Sequence, residues 1–497
     1  MTERLTAYEF VDAIADPGSF EQWDDPVDIS GQPSDYRQEL TGAFLRSHAD
    51  EAVVTGLIAI GGAPVVVIAG EFTFLGGSIG IAAADRIERA IDRATAMSLP
   101  VLAAPASGGT RMQEGTPAFV RMTDVIGAVM RHRAAGLLYV VYLRHPTTGG
   151  ALASWGSLGQ ITLAEPEALV AFLGPRVVAA LTGRRIPPEV QRAEHLAERG
   201  IVDAVVPVDE LGDVLAPLLE IVLDRERPAA LERREPVDDG TPGSRRLANP
   251  WDSVIESRSW ERPGFADLLS GPLQVPLFLG GTGDGEPSGP IRAALARIDG
   301  RSVVVIGQDR MTQDAGAPLG PGALRTARRA IRLADELGLP IVTVVDTAGA
   351  ELSAQAEEHA MAGEIARCAA DLMGARVPSV SVLLGQGCGG GAFALLPAGR
   401  VIAAENAWLA PLAPEGASVI LYGDTAHAPE IAAQQTIRAV DLHAAGIVDA
   451  IVPEHGADYR AAPEAIRAFA DAIAAEVVTQ LSEQRAVKAF GAVPGGD

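Results

Sequence analysis

Glycine-rich turns that follow short apolar runs carry the clearest potential for chemistry in this 497-residue sequence. Residues 147–151 read Thr-Thr-Gly-Gly-Ala and residues 389–392 read Gly-Gly-Gly-Ala, and each directly follows a strand-like run. Glycine lacks a Cβ atom, so its backbone N–H can approach an oxygen atom closely. Two such amides at about 3 Å from a thioester oxygen would stabilise the corresponding enolate. The sequence therefore predicts two anion-binding turns, one in each half of the chain.

A second glycine motif offers a hydrolase interpretation. Residues 76–80 read Gly-Gly-Ser-Ile-Gly and fit GxSxG, which would make Ser78 a nucleophile. A hydrolase of that type needs a histidine base later in the chain. The candidates are His145, His427 and His443, and none of them lies in a recognisable catalytic setting. The hydrolase interpretation is therefore the weaker one.

A third motif resembles a dinucleotide fingerprint. Residues 385–390 fit GxGxxG, and Glu405 lies 20 residues beyond Gly385. A dinucleotide-binding fold continues from such a turn into a helix that carries the pyrophosphate at its N-terminus. Pro397 and Gly399 interrupt that helix early. The sequence therefore argues against a dinucleotide site.

Charge and composition exclude several classes of partner. The net charge of −24 argues against nucleic acid, because phosphate binding needs clustered cations. The polar start and the lack of a long uncharged apolar stretch predict neither a signal peptide nor a membrane span, and hence a cytoplasmic protein. The two cysteines, Cys368 and Cys388, form no CxxC pair, and the eight histidines show no HxH or HExxH spacing. No metal site is expected.

The chain repeats itself at an offset that places one copy in each half. The matching pairs, in chain order, are residues 60–70 and 298–308, residues 89–100 and 329–340, and residues 200–207 and 446–453. A charged stretch rich in proline and glycine separates the copies and is typical of a surface linker. We predict an N-terminal domain at residues 1–225, a linker at 226–248 and a homologous C-terminal domain at 249–497.

Each half alternates β-branched runs with segments of helical period. The predicted strand, helix and strand are residues 64–69, 81–97 and 100–104 in the first half and residues 302–307, 324–337 and 340–345 in the second. Pro100 and Pro340 each end a helix and begin the following strand. This alternation predicts an α/β fold with parallel strands covered by helices.

At these motifs the sequence resembles the carboxyltransferase of bacterial acetyl-CoA carboxylase, a member of the crotonase superfamily. The first half resembles the beta subunit in FTFLGGSIG (72–80), ASGGTRMQEG (106–115) and HPTTGGALAS (145–154). The second half resembles the alpha subunit in GPGALRTARRAIRLADELGLPIVTVVDTAGA (320–350), GQGCGGGAFAL (385–395) and PEGASVILY (414–422). The resemblance covers residues 40–225 and 249–455, in the beta-then-alpha order of single-chain acyl-CoA carboxylase carboxyltransferases.

The resemblance implies two tandem crotonase-like domains, each a ββα superhelix, with an active site between one protomer's N-terminal domain and another's C-terminal domain. Gly149 and Gly150 match the family's first oxyanion hole, and Gly390 and Gly391, with Ala392 alongside, match the second. One hole would hold the enolate of the acyl-CoA and the other the ureido oxygen of carboxybiotin. The implied reaction moves CO2 from carboxybiotin to acetyl-CoA or propionyl-CoA, and Ala394 mildly favours acetyl-CoA.

Six further residues are candidates for substrate binding by the same resemblance. They are Gly76, Gly77, Gly108, Gly109, Arg111 and Arg176. The two arginines have either a structural role or a contact with the phosphates of CoA, since the guanidinium fork suits phosphate.

The implied partners are a biotin carboxylase and a biotin carboxyl carrier protein, both separate from this chain. Lys488 is the single lysine and lies in VKAF, whereas a carrier's biotinylated lysine sits in a Met-Lys-Met type hairpin. A site shared between protomers implies a homo-oligomer, either a dimer or a hexamer. A biotin-independent decarboxylase of malonyl or methylmalonyl thioesters would use the same enolate and stays open, whereas the intact glycine turns in both halves argue against a non-catalytic scaffold.

The sequence departs from the family pattern at three places. The four-cysteine zinc module of the beta subunit is absent. Gln386 stands where the alpha-type loop usually carries glutamate, and residues 346–350 read Asp-Thr-Ala-Gly-Ala in place of DTPGA. None of these changes removes a backbone amide of either predicted hole.

Overall fold

The computed structural model describes residues 4–223, 249–454 and 463–490. The chain divides into two compact units. Unit 1 contains the chain up to Leu223 together with Gly283–Glu286, and unit 2 contains the rest. The predicted linker at 226–248 lies outside the described residues, so the predicted domain bounds stay a prediction.

Unit 1 is built on a mixed seven-stranded sheet with the strand order β1-β2-β3-β4-β5-β7-β9, beside a small β6-β8 pair. Its helices and strands are α1 (Ala7–Ile14), β1 (Glu21–Gln22), α2 (Ser34–Ser47), β2 (Val53–Ile60), β3 (Ala63–Gly70), α3 (Ile81–Ala96), β4 (Val101–Ala104), α4 (Gly115–Ala134), β5 (Tyr139–Leu143), β6 (Thr147–Thr148), α5 (Gly149–Leu152), β7 (Ile161–Ala164), β8 (Val170–Ala171), α6 (Pro175–Thr182), α7 (Ala193–Glu198), β9 (Ala204–Val205) and α8 (Val208–Leu223). Short 3-10 helices lie at Leu75–Gly77, Trp155–Ser157 and Pro188–Gln191.

Unit 2 is built on an eight-stranded sheet with the order β10-β11-β12-β13-β14-β15-β17, in which β16 pairs with β14. Its helices and strands are α9 (Pro250–Ser257), α10 (Phe265–Ser270), β10 (Leu273–Phe278), β11 (Ile291–Ile298), β12 (Arg301–Gln308), α11 (Arg310–Asp314), α12 (Pro321–Leu337), β13 (Ile341–Thr347), α13 (Ala354–Glu358), α14 (Met361–Gly374), β14 (Ser379–Cys388), α15 (Gly389–Phe393), β15 (Arg400–Ala404), β16 (Trp408–Ala410), α16 (Pro414–Tyr422), α17 (Ala428–Gln434), α18 (Ala439–Ala444), β17 (Ala450–Val452) and α19 (Pro463–Phe490).

Each unit contains an antiparallel hairpin that leads into parallel strands. Gly61 and Gly62 join β2 to β3 with φ of 59° and 79°, and the Asp16 carboxylate accepts both of their N–H groups. Asp299 and Gly300 join β11 to β12 with φ of 48° and 77°. Two residues with positive φ form the turn that matches the twist of a hairpin. The turn chemistry thus sets the register of the strands that follow.

The two sheets repeat each other. Val66 pairs with Val101 between the parallel strands β3 and β4, and Val304 pairs with Ile341 between β12 and β13. The predicted strand at 64–69 lies within β3, and the helix predicted at 81–97 is α3. The buried parallel strands are nearly continuous apolar runs, because helices cover them. The prediction of two homologous α/β domains is confirmed.

The carboxyl ends of the central parallel strands meet at one edge of each sheet, the place where α/β folds bind their ligands. In unit 1 that edge collects the turns after β3, β4 and β5, and in unit 2 the turns after β12, β13 and β14. No helix among the described residues is long and apolar enough to cross a membrane.

A carboxylate on α14 joins that helix to α12 in unit 2. Glu364 is nearly buried and accepts hydrogen bonds from Arg325 at 3.1 Å, Arg328 at 2.9 Å and Arg367 at 2.7 Å. Burial raises the pKa of Glu364, but the hydrogen bonds from the three arginines outweigh burial and lower the pKa below its ordinary 4.5. The charged form of Glu364 therefore stabilises the packing of the two helices.

We expect Glu364→Gln to lower the free energy of unfolding by about 1–2 kcal/mol. The expected loss is small because the arginines are partly exposed, and solvent weakens their attraction to the carboxylate. Because the folded-state pKa is lowered, the difference between wild type and variant is fully present above pH 4.5 and shrinks as the pH falls through that pKa. Urea unfolding from pH 7 to pH 3 measures it. Glu358→Gln, at an exposed position on the neighbouring α13, is the control. A pH-independent difference would contradict the ionic role.

Candidate active site

The turns after β4 and β5 pack backbone against backbone in unit 1. A Cβ atom added to Gly109 would lie 3.2 Å from Gly150 N, and one added to Gly149 would lie 3.1 Å from Gly108 O. A Cβ on Gly150 would lie 2.7 Å from the Thr110 side-chain oxygen and 3.6 Å from Thr110 N. Opposing backbone atoms occupy the space of a side chain at Gly109 and Gly149, and the Thr110 side chain occupies it at Gly150.

The amides of these turns differ in their availability. Gly149 N–H donates to Phe172 O at 3.0 Å, and Gly108 N–H donates to Gly76 O at 2.9 Å. Within the described part of the chain, Gly150 N–H has no protein acceptor. Of the predicted pair Gly149 and Gly150, the structure therefore leaves the Gly150 amide available to an oxygen atom.

Unit 2 contains the equivalent arrangement after β13 and β14. A Cβ on Gly391 would lie 3.0 Å from Ala350 N and 2.9 Å from Leu319 Cδ2, and one on Gly390 would lie 2.6 Å from Ile365 Cδ1. Gly391 N–H also lacks a protein acceptor among the described residues. Gly391 thus lies beside the amide of Ala350 as Gly150 lies beside that of Thr110.

The two arrangements match in detail. Gly109 N–H donates to Ser107 Oγ at 3.0 Å, and Gly349 N–H donates to Thr347 Oγ1 at 3.1 Å. These two turn glycines have φ of 114° and 130°. The helices after them open on Gly149 and Gly389, with φ of 62° and 56°. The glycine that lies beside the turn amide is the first residue after Gly149 in unit 1, which is Gly150. In unit 2 it is the second residue after Gly389, which is Gly391.

Gly76 and Gly77 place a third turn, after β3, against the turn after β4. A Cβ on Gly77 would lie 2.0 Å from Ala106 O, so the two turns are in direct backbone contact. Ser78 Oγ donates to Leu75 O at 2.9 Å and lies 3.4 Å from Arg111 Nε. With its hydroxyl donated to the backbone and no histidine hydrogen-bonded to it among residues 4–223, Ser78 does not form a hydrolase triad within unit 1.

Arg111 lies under these turns with 1% of its side chain exposed. Its guanidinium donates to Glu51 Oε2 at 2.9 Å, to Ser78 O at 2.7 Å and to Glu114 Oε1 at 3.1 Å, and it also contacts Tyr36. The guanidinium group of Arg111 is therefore engaged by hydrogen bonds to other groups of the protein. Of the two roles left open for Arg111, the structure supports the structural one.

Arg176 differs from Arg111, because its side chain is exposed on α6. No residue of α6 is buried, and Phe172, Val177 and Leu181 expose 71%, 46% and 73% of their surface. In unit 2, α16 likewise presents exposed apolar residues, including Ile420. Each unit therefore carries an apolar helical surface that a further protein surface can cover.

A cavity of about 480 Å³ opens beside the turn after β13 in unit 2. Its lining residues are Arg258, Asp314, Ala348, Gln386, Ala413 and Glu415. Arg258 donates to Glu415 at 2.5 Å and to Gln386 Oε1 at 3.3 Å. The hydrogen bond between Arg258 and Glu415 lowers the pKa of Glu415. No local pattern in the sequence pairs Arg258 with Glu415, because the two residues are 157 positions apart.

The GxGxxG match at residues 385–390 ends a strand instead of opening a long helix. Its first four residues belong to β14, and α15 then extends over only five residues. A dinucleotide pyrophosphate needs a longer helix at that position. The five-residue helix α15 is therefore too short to form a dinucleotide site at this turn.

Comparison with known proteins extends over nearly the whole chain. The family model "Carboxyl transferase domain" matches residues 2–234, and "Acetyl co-enzyme A carboxylase carboxyltransferase-like" matches residues 245–490. The probable biotin-dependent acyl-coenzyme A carboxylase beta3 subunit of Mycobacterium tuberculosis (strain ATCC 25618 / H37Rv) is 49% identical over 476 residues, covering 95% of this chain and 94% of the relative. The acetyl-coenzyme A carboxylase carboxyl transferase subunits beta/alpha of Salinispora tropica are 36% identical, covering 96% and 88%.

A solved structure supports the fold. Transcarboxylase 12S, described as a hexamer with hydrolysed methylmalonyl-coenzyme A bound, aligns with a TM-score of 0.72 and 21% identity, covering 94% of this chain and 90% of that one. The resemblance deduced from the glycine motifs is confirmed, and with it the tandem crotonase-like fold. This chain belongs to the carboxyltransferases of the biotin-dependent acyl-CoA carboxylase family.

Proposed function

We propose that this protein transfers CO2 from carboxybiotin, held on a separate carrier protein, to acetyl-CoA or propionyl-CoA. The observation that carries the proposal is the available amide of Gly150 in unit 1 and of Gly391 in unit 2, each at the carboxyl ends of parallel strands. Carboxybiotin, when bound, supplies the CO2 and the ureido nitrogen that takes the α-proton. The part of this chain is to polarise two oxygen atoms with backbone N–H groups.

The two anion-binding turns fit the two oxygen atoms of that reaction. In our proposal Gly150 donates its N–H in one hole, and Gly149 shapes the turn beside it because its own N–H donates to Phe172 O. Gly390, Gly391 and Ala392 belong to the other hole. One hole receives the thioester oxygen as it becomes an enolate, and the other receives the ureido oxygen. Amides fixed before the reaction stabilise the developing charge without reorganising, so side-chain acids and bases are not required at these positions.

We propose further substrate contacts outside the two holes for residues whose exposure or backbone contacts suit them. We assign Arg176 to a CoA phosphate, because its guanidinium is exposed on α6 close in sequence to Phe172, whose carbonyl accepts from Gly149 N–H. Gly76, Gly77, Gly108 and Gly109 shape the floor beneath the acyl group through their backbone contacts. The small side chain of Ala394, directly after α15, favours acetyl-CoA as the acyl substrate.

The partners in this proposal are a biotin carboxylase and a biotin carboxyl carrier protein. Lys488 lies within the backbone span of helix α19, whereas a carrier's lysine sits in a hairpin. The Mycobacterium tuberculosis relative is named as a subunit, which supports separate partner chains. The exposed apolar faces of α6 and α16 support a homo-oligomer, and dimer and hexamer both agree with them.

The test is to incubate the purified full-length protein with malonyl-CoA and to follow acetyl-CoA by mass spectrometry, without and with free biotin. We expect product only with biotin, because the ureido group must accept the carboxyl group in this reverse direction. The Gly150→Val variant, purified identically, is the control for contaminating activity. Turnover without biotin would assign the protein as a decarboxylase and overturn the proposal.

A further inference from the structure

Two glutamine side chains in unit 2 hold the carbonyl groups of the turns on either side of the Gly391 amide. Gln308 Nε2 donates to Gly391 O at 2.7 Å, and Gln313 Nε2 donates to Gly349 O at 2.8 Å. We infer that Gln308 and Gln313 form a glutamine clamp that positions the amides of the unit 2 anion-binding turns. The inference rests on the proposed function and adds two positioning residues to it.

Gln308 bridges three elements from the end of β12. Its side chain is 2% exposed, and its Oε1 accepts from Asp346 N–H at 3.1 Å while its Nε2 holds Gly391 O. The peptide group is planar, so a fixed Gly391 carbonyl also fixes the direction of Ala392 N–H. Gln308 therefore sets the orientation of the first peptide group after the available Gly391 amide.

Gln313 closes a small ring of hydrogen bonds around the turn after β13. Its Oε1 accepts from Thr347 Oγ1 at 2.8 Å, and Thr347 Oγ1 in turn accepts from Gly349 N–H at 3.1 Å. Gly349 has φ of 130°, a backbone conformation that glycine adopts readily and other residues rarely do. Holding its carbonyl fixes the N–H of Ala350, the amide beside Gly391.

Unit 1 has no such glutamine at the equivalent strand position. Gly70 occupies the place of Gln308, since each lies four residues beyond the paired valine of its strand, Val66 or Val304. A Cβ on Gly70 would lie 2.4 Å from Ala106 N, which leaves no room for a side chain.

Hydroxyl groups and backbone atoms hold the unit 1 turns instead. Ser154 Oγ donates to Gly150 O at 2.6 Å, and Ser107 Oγ donates to Gly77 O at 2.5 Å. The two holes therefore have different supports, although their available amides are alike. Changes to the clamp act on the unit 2 hole alone, which makes its contribution separable.

The test replaces Gln308 or Gln313 by methionine, which keeps the length of the side chain and removes its hydrogen bonds. We expect each change to lower kcat for biotin-dependent decarboxylation of malonyl-CoA by about 10–100-fold, because misplacing a preorganised donor has effects of that size. KM for malonyl-CoA should stay near the wild-type value. Gln308→Glu should lower kcat further, since it places an acceptor against Gly391 O.

The matched control is Gln484→Met. Gln484 accepts from Ser379 N–H at 3.2 Å and donates to Ser379 O at 2.9 Å, so it holds the opposite end of β14 by the same chemistry. It should leave kcat at the wild-type level. Wild-type kcat in both clamp variants would overturn the inference, because a packing role alone predicts that result.

A second readout does not depend on activity. Hydrogen–deuterium exchange of the peptide that covers Gly389–Phe393 should become faster in Gln308→Met and stay unchanged in Gln484→Met. If the wild type shows no biotin-dependent turnover, the proposed function fails while exchange still tests the clamp. Unchanged exchange in Gln308→Met would overturn the clamp whatever the reaction is.

Discussion

Gly150→Val or Gly391→Val is expected to lower kcat of biotin-dependent malonyl-CoA decarboxylation by about 10²–10³-fold, the usual effect of losing one oxyanion donor. A Cβ on Gly150 meets the Thr110 side-chain oxygen at 2.7 Å, and one on Gly391 meets Ala350 N at 3.0 Å. In each unit the added side chain therefore occupies the space through which an oxygen atom would approach the N–H of the glycine and the neighbouring turn amide. The strand ends that carry the two turns should remain in place, so circular dichroism should stay close to that of the wild type.

Matched glycines separate this effect from the general cost of losing a glycine. Gly31 and Gly374 are exposed, have no neighbour within 4 Å of an added Cβ and do not have positive φ. Gly31→Val is the control in unit 1 and Gly374→Val the control in unit 2, and both should retain wild-type kcat. A Gly150→Val or Gly391→Val enzyme that also turned over at the wild-type rate would exclude the oxyanion role at that position.

Arg111→Met is expected to lower the free energy of unfolding by about 3–5 kcal/mol, because it leaves the buried Glu51 carboxylate without its partner. Glu51 is 2% exposed, and Ser78 O and Tyr36 also lose a donor. Burial lowers the pKa of Arg111, but the hydrogen bond and the charge of Glu51 outweigh burial and raise it. Urea unfolding with a fluorescence readout measures the loss.

A double variant tests whether the loss comes from the uncompensated charge. Arg111→Met combined with Glu51→Leu removes both charges, and it should recover part of the stability lost in Arg111→Met alone. Arg176→Ala is the surface control and should leave the free energy of unfolding unchanged. An Arg111→Met protein with wild-type stability and a raised KM for malonyl-CoA would instead show that Arg111 contacts the substrate.

Contacts between residues far apart in the chain explain why the sequence could not separate the roles of some candidate residues. Arg111 and Arg176 are both arginines near glycine turns, and only the burial of one and the exposure of the other separates their roles. Gly149 and Gly150 are adjacent and identical in type, yet Phe172 O takes one amide and leaves the other. A hydrogen-bond partner that arrives from another loop leaves no local pattern in the sequence.

The repeat, the parallel α/β character and the positions of the glycine turns can all be predicted from the amino-acid sequence alone. Those features depend on local rules: glycine at positive φ, proline at the start of a strand, and apolar runs for strands buried on both faces. The hydrogen bonds from Gln308 to Gly391, across 83 residues, and from Arg111 to Glu51, across 60, become visible only in the folded chain. Such pairings depend on which strand ends meet at the edge of a sheet, and that meeting is a property of the whole packed domain.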